Sequence, residues 1–272
     1  MPMRLINRQP GRAFAVFLAM LPFVLLIAAY SIGSEIRLAA NPQDKLLPSL
    51  AKIADTAQRL VTEADKRSGR ILFWHDTGVS LFRLFVATAI AALTGVIAGI
   101  GIGLLPHVRA TLTGFIAVLS MIPPLAILPI LFITFGLGET SKIVLIVIGI
   151  TPVIIRDLAA RTMEIPREMI VKAETLGAST PTIALRVVLP QILPRLIQCV
   201  RLALGPAWLF LIAAEAIASD LGLGYRIFLV RRYLAMDVIL TYVIWITLLA
   251  FLIDWLLKQL SRKAFPWVGA GL

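Results

Sequence analysis

The chain has 272 residues, of which 59% are hydrophobic and 15% charged, against about 25% charged in a soluble domain, and its mean hydropathy is +0.92. This composition excludes a water-soluble, disordered or collagen-like protein. The single cysteine, Cys199, excludes an internal disulfide framework, and with only His75 and His107 beside it no metal-ligand spacing exists. The net charge of +11 would indicate nucleic acid on a soluble protein. On a membrane protein it reads as the positive-inside excess of the loops, so no nucleic-acid partner is expected.

Residues 1–12 form a basic arm carrying Arg4, Arg8 and Arg12. A first spanning helix covers residues 13–32, since about 20 apolar residues at 1.5 Å rise cross the hydrocarbon core. No polar residue falls between Ala13 and Tyr30, which is too long for the apolar region of a signal peptide, so the helix is retained. Residues 33–78 form a long outer segment. Within it Leu46, Leu47, Leu50, Ile53, Ala54, Ala57 and Leu60 recur at helical spacing, so residues 46–60 are expected to form an amphipathic helix. Its polar face is of mixed sign (Lys52, Asp55, Arg59), which favours docking on the bundle over lying on the membrane surface.

Residues 79–260 form the transmembrane core, with further spans at 79–105, 112–135, 141–158, 192–218 and 238–257. Six spans place both termini on one side. That side is the cytoplasm, because Arg109, the basic residues from Arg156 to Arg195, and Lys258, Arg262 and Lys263 gather there with the arm. Arg226, Arg231 and Arg232 oppose this orientation without reversing it. Residues 261–272 form a cytoplasmic tail. Gly95, Gly99 and Gly103 lie four apart on the second span, a flat face that a neighbouring backbone can approach closely. Pro123, Pro124 and Pro129 break the third span, and Pro152 and Pro206 the fourth and fifth. Broken helices at membrane depth occur where they are buried in protein or line a cavity.

The cytoplasmic loop, residues 161–191, is too polar to span and too patterned for a linker. Pro166 suits a first helical turn, residues 167–176 read as helix, and Gly177 fits the left-handed residue that ends it. Ser179 caps a second helix with Pro181 in its first turn, and Pro190 and Pro194 open the fifth span. Apolar Met169, Val171, Ala173 and Leu176 on the first helix call for a partner that covers them.

This loop, with Lys172, Ala173, Glu174, Thr175, Leu176 and Gly177 followed by Val187-Val-Leu-Pro190, resembles the signature loop of permease subunits of binding-protein-dependent ABC importers. The resemblance runs from about Leu47 to the tail. Ile122-Pro-Pro-Leu-Ala126, Phe135-Gly-Leu-Gly-Glu-Thr-Ser-Lys142, Leu176-Gly-Ala-Ser179, Ala213-Ala-Glu215 and Gly222-Leu-Gly-Tyr225 look like the taurine, alkanesulfonate and nitrate branch. Six residues before Gly177, where that family usually has Glu, this chain has Val171.

The resemblance implies an all-α integral membrane fold of the type I ABC importer kind, with a cytoplasmic coupling helix. It implies a bacterial inner-membrane permease working as a homodimer with two ATP-binding cassette ATPase subunits and a periplasmic substrate-binding protein. Glu168, Lys172, Ala173, Glu174, Leu176, Gly177, Ala178 and Ser179 would couple to the ATPase, with Ala173 and Leu176 as the packed face. The chain has no Gly-x-x-x-x-Gly-Lys-Ser/Thr phosphate loop, so ATP and Mg belong to the ATPase and this chain binds no cofactor. The translocation path is assigned to Ser120, Met121, Pro123, Pro124, Trp208, Leu211 and Glu215.

Glu215 has two readings: a functional group within a span, or a structural partner of Arg226 or Arg231. Asp254 reads as snorkelling or as paired with Lys258 at i+4. Arg83 and Arg201 either neutralise an anion or anchor helix ends in headgroups. A stand-alone secondary carrier would also accommodate the broken helices but has no need of the patterned hairpin. A membrane enzyme would need a cluster of reactive side chains near one face, which the spans lack. Within the same branch, nitrate, a bicarbonate-like anion or a pyrimidine precursor are alternative solutes.

Overall fold

The computed structural model describes residues 11–65 and 68–268. Arg4 and Arg8 of the arm and the last four residues of the tail lie outside them. Among the described residues the chain is helical and forms no strand. Five helices are long and apolar enough to cross a membrane, or six if one bent pair counts as a span.

Helix α1 runs from Arg12 to Ala40, eight residues past the expected end. Its extra turns persist because their polar groups find partners. Tyr30 Oη donates to the Pro48 carbonyl at 2.7 Å, Ser34 Oγ to the Leu47 carbonyl at 2.9 Å, and Arg37 pairs with Asp44. Hydrogen bonding from Arg37 holds the Asp44 carboxyl below its usual range. Helix α2, Leu50–Thr62, is the amphipathic helix, and Ser49 caps it by accepting from the Lys52 N–H at 3.2 Å. It docks on the bundle: Ile53 is buried, and buried Thr56 donates to Asp237 Oδ2 at 2.9 Å.

Helix α3, Leu72–Leu104, starts seven residues before the expected span. Asp76 and Thr77, whose polarity makes its beginning look like loop, are buried and hydrogen-bonded, as is Ser80 just inside the expected span. Phe73 and Trp74 meet Trp245, and Phe73 also meets Tyr242, at ring centroid distances of 5.2–5.5 Å. Trp245 Nε1 donates to Thr77 Oγ1 at 3.0 Å.

The expected single span at 112–135 is two helices, α4 (Pro106–Leu119) and α5 (Leu128–Phe135), bent by 80°. The cause is local. Pro123 and Pro124 have no N–H to continue the ladder, and a 3-10 turn over Pro124–Ile127 restarts the chain in another direction. Gly136, at φ +73°, then turns it into α6, Glu139–Met163.

Helices α3 and α6 form the centre. The glycine stripe faces a stripe at the same spacing on α6. A β-carbon on Gly95 would meet Ile154, one on Gly99 would lie 2.7 Å from Leu158 Cβ and 3.3 Å from the Ala159 nitrogen, and one on Gly103 would meet Thr162. The two backbones touch because these positions carry no side chain. Gly99→Leu should therefore separate the helices, since the obstruction includes backbone. A loss of about 1–3 kcal/mol or more is expected, read as a lower unfolding temperature of the detergent-purified protein. An unchanged temperature would contradict this packing.

Helix α7, Arg167–Thr175, follows α6, and the four-residue α8, Thr180–Ile183, follows α7. A π segment over Ala184–Val188 joins α8 to α9, Leu189–Ala218, so the chain is continuously helical over Thr180–Ala218. The expected division between a second loop helix and a fifth span is thus not a break. Helices α10, Leu223–Arg231, and α11, Met236–Ala264, complete the fold. Helix α10 lies in what was expected to be outer loop.

Candidate functional site

Three groups of residues have chemistry that the packing does not absorb, or absorbs at unusual cost. The first is α7, which projects at one end of the bundle. Its inner side, Ile170 and Ala173, with Ala178 beyond the turn, packs on the core. Its outer side presents Glu168, Met169, Val171, Lys172 and Leu176 to the outside, with Leu176 87% exposed. Gly177 has φ +79°, the left-handed region that glycine enters freely, and open space surrounds its α-carbon. The Ala178 N–H bonds back to the Ala173 carbonyl at 3.0 Å and closes the helix end. Ser179 occupies the cap position of α8, but its hydroxyl pairs with Thr182 Oγ1 at 2.8 Å instead of a backbone N–H. Ala173, read from sequence as part of a surface awaiting a partner, instead faces the bundle, because the i, i+3 pair Ile170 and Ala173 is the side that meets the core. Glu174 and Thr175 are exposed.

The second group is the break between α4 and α5. Ser120 is half-buried and donates to the Ala117 carbonyl at 2.7 Å, Met121 and Pro123 are exposed, and Pro124 is half-buried. Trp208 and Leu211 do not join them. Leu211 is fully buried and Trp208 6% exposed, both in the main core. Neither therefore lines an open surface of this chain. They point to the crowded side of α9, whereas Leu202 and Leu209 face outward.

The third group is a buried polar network at the end of the bundle opposite α7. Glu215, with no exposed surface, accepts from Ser80 Oγ at 2.7 Å and Arg83 Nη1 at 2.8 Å through Oε1, and from the Gly224 N–H at 2.8 Å through Oε2. Arg83 also holds Glu139 through Nη2 at 2.6 Å and the Leu221 carbonyl at 3.0 Å. Asp76 accepts from the Gly222 N–H at 3.0 Å and from Arg226 Nε at 2.7 Å. Ser80 Oγ accepts from the Leu223 N–H at 2.9 Å. Two carboxylates and a hydroxyl thus receive the first N–H groups of α10, which an isolated helix start leaves unpaired. A buried ion pair is tolerated when its other polar atoms also find partners, and here both Glu215 oxygens and all three Arg83 guanidinium nitrogens are engaged.

Glu215 does have an arginine partner, but it is Arg83, and Arg226 belongs to Asp76. Arg201 donates twice to Asp254, at 2.7 and 3.0 Å, so Asp254 pairs across helices and not with Lys258. Both arginines nominated for an anion are already held by carboxylates.

A model of the family described as "Binding-protein-dependent transport system inner membrane component" matches residues 91–266. The chain belongs to that family. This permease is 38% identical over 196 residues to the taurine transport system permease protein TauC of Escherichia coli (strain K12), covering 72% of this chain and 71% of the relative. It is 28% identical over 271 residues to the putative aliphatic sulfonates transport permease protein SsuC of Bacillus subtilis (strain 168), covering 96% and 92%. A chain of the MetNI methionine ABC transporter, solved in inward-facing conformations, superposes with TM-score 0.57 at 21% identity, covering 67% of this chain and 93% of that one. At that identity the likeness is one of fold. As a family member the permease is a transport subunit of the inner membrane and is not itself catalytic.

Sequence reasoning did not find Asp76, Ser80 and Glu139 in this permease. Their partners lie 56 to 150 positions away in the chain, and no local periodicity marks such a pair. The signals available were their polarity at or near the ends of apolar runs and, for Glu139, its place in the Phe135–Lys142 stretch.

Proposed function

We propose that this permease forms the membrane path of an ATP-driven importer for a small anion, with taurine or an alkanesulfonate as the first solute to test. In this reading two copies pair, two ATP-binding cassette ATPase chains bind α7 on the cytoplasmic side, and a substrate-binding protein delivers the solute to the opposite face. ATP and Mg reside on the ATPase. Both termini are cytoplasmic, in keeping with the basic residues Arg12, Lys258, Arg262 and Lys263.

The observation that carries the proposal is α7. A nine-residue helix with exposed Met169, Val171 and Leu176 and interspersed Glu168, Lys172 and Glu174 is a surface for a protein groove. Its attachment suits a lever. Ile170, Ala173 and Ala178 seat it on the bundle, and Gly177 to Ser179 join it directly to the continuous helix Thr180–Ala218. A displacement of α7 by a closing ATPase pair would pass along α9 into the bundle, where Leu204, Ala207 and Leu211 are packed. Close packing transmits such shifts as rigid-body motion. Glu168 and Glu174 supply the acidic groups on either side of Val171, which occupies the family's usual Glu position.

Proteoliposomes containing the permease, its ATPase and its binding protein test this. Uptake of labelled taurine that requires ATP on the α7 side and the binding protein on the other is the expected result. Uptake driven by an ion gradient without ATP would contradict it.

A further inference from the structure

Arg83 and Arg201 are held by carboxylates, and Arg109 donates to the carbonyls of Ile102 and Gly103. Arg156 differs from all three. It lies on α6, seven residues before Met163, about 10 Å inside that end at helical rise. It is exposed on a face shared with Val153, which is 58% exposed. The one hydrogen bond its guanidinium makes among the described residues is to a neutral group, Ser120 Oγ, at 3.0 Å from Nη1. Ser120 is the residue at which α4 ends and the break begins. Adjacent Asp157 does not serve Arg156: its Oδ2 accepts from Cys199 Sγ at 2.7 Å, and its Oδ1 lies 4.0 Å from Arg161 Nε.

An arginine on an apolar span is costly against hydrocarbon, and such groups face water-filled cavities or partners. Irregular backbone within apolar helices has the same requirement. The Arg156–Ser120 hydrogen bond brings the two together, toward the α7 end of α6. Arginine also offers five donors in a planar fork suited to oxyanions, and only one is engaged.

We propose that Arg156, assisted by the Ser120 hydroxyl, binds the oxyanion group of the transported solute, a sulfonate or carboxylate, as it passes the break between α4 and α5. The inference rests on the importer reading above. The same guanidinium could instead meet a lipid phosphate by reaching toward the α7 end, and the test separates the two sources.

Wild-type, R156Q, R156K and S120A permeases are reconstituted as complete complexes, normalised by intact mass to equal assembled complex, in phosphatidylcholine alone and with phosphatidylglycerol. Labelled taurine uptake is measured in both. Loss of a charge-assisted contact predicts a fall of roughly tenfold or more in R156Q, in both lipids, with a smaller loss in R156K and S120A. Wild-type uptake in R156Q at equal assembly would overturn the proposal. So would a defect confined to membranes containing phosphatidylglycerol, which would assign Arg156 to headgroups. A wild-type complex that carries no anionic solute would remove the importer reading, and this inference with it.

Discussion

Glu215→Ala lowers the folding stability of the permease by about 3–5 kcal/mol, the cost of removing one partner from a buried ion pair. The size follows from what the substitution strands. Ser80 loses its acceptor, the Gly224 N–H at the start of α10 loses the carboxylate oxygen that receives it, and Arg83 keeps Glu139 but loses the carboxylate deepest in the protein. Gly222 and Gly224 bring the α10 backbone hard against Glu215, since a β-carbon on either would lie 2.5–2.9 Å from its side chain or from the Ile212 carbonyl, so truncation leaves a cavity lined by these backbone groups. Glu215→Gln keeps one oxygen acceptor and most of the volume and should lie between wild type and Ala. Thermal unfolding of the purified protein reads the effect. If Glu215→Ala unfolded at the wild-type temperature while transport was lost, Glu215 would belong to the solute path and not to the scaffold.

Gly177→Asp leaves the permease inserted and folded but reduces both ATPase co-purification and uptake by about tenfold or more. The left-handed conformation at φ +79° costs a residue with a β-carbon about 1–2 kcal/mol, and Asp is among the side chains that tolerate it best. A β-carbon on Gly177 would have no neighbour within 4 Å, so the substitution brings no clash at its root. Its effect must therefore come through the surface that α7 presents, where it adds a negative charge beside Leu176. Gly177→Ala, with the strain and without the charge, should retain more coupling. Full uptake with normal ATPase recovery in Gly177→Asp would refute α7 as the coupling element.

These two residues also mark what the sequence could and could not disclose. Gly177 was legible because the whole signal is local: a helical run, a glycine at its end, and a proline opening the next helix. The same holds for the glycine stripe on α3, whose spacing announces a close helix contact although only the fold identifies α6 as the neighbour. Pro123 and Pro124 announced a break, but the 80° change of direction depends on how α5 packs. Leu128 and Leu131 turn toward the core there.

Glu215 was half legible. Its place in an apolar run marked it as unusual, yet its partner was sought among nearby arginines and is Arg83, 132 positions earlier. Asp76 and Thr77 hid the true start of α3, because polar residues in a sequence look exposed until their partners are known. Helix α10 went unread for a related reason. Its arginines looked like a solvated loop, whereas Arg226 is tied to Asp76. Ala173 shows the limit of reading apolar residues on a short helix as one surface, since a helix of nine residues still has two sides.

The central claim is that α7 is the docking element for an ATPase. The most direct measurement is intact-mass analysis of the tagged permease, extracted gently from its own host, with the co-purifying chains identified. Two permeases with two chains bearing an ATP-binding phosphate loop are predicted, and Gly177→Asp should lose those chains while keeping the permease pair. Recovery of the permease without any ATPase across several mild detergents would contradict the claim and favour a carrier that works alone.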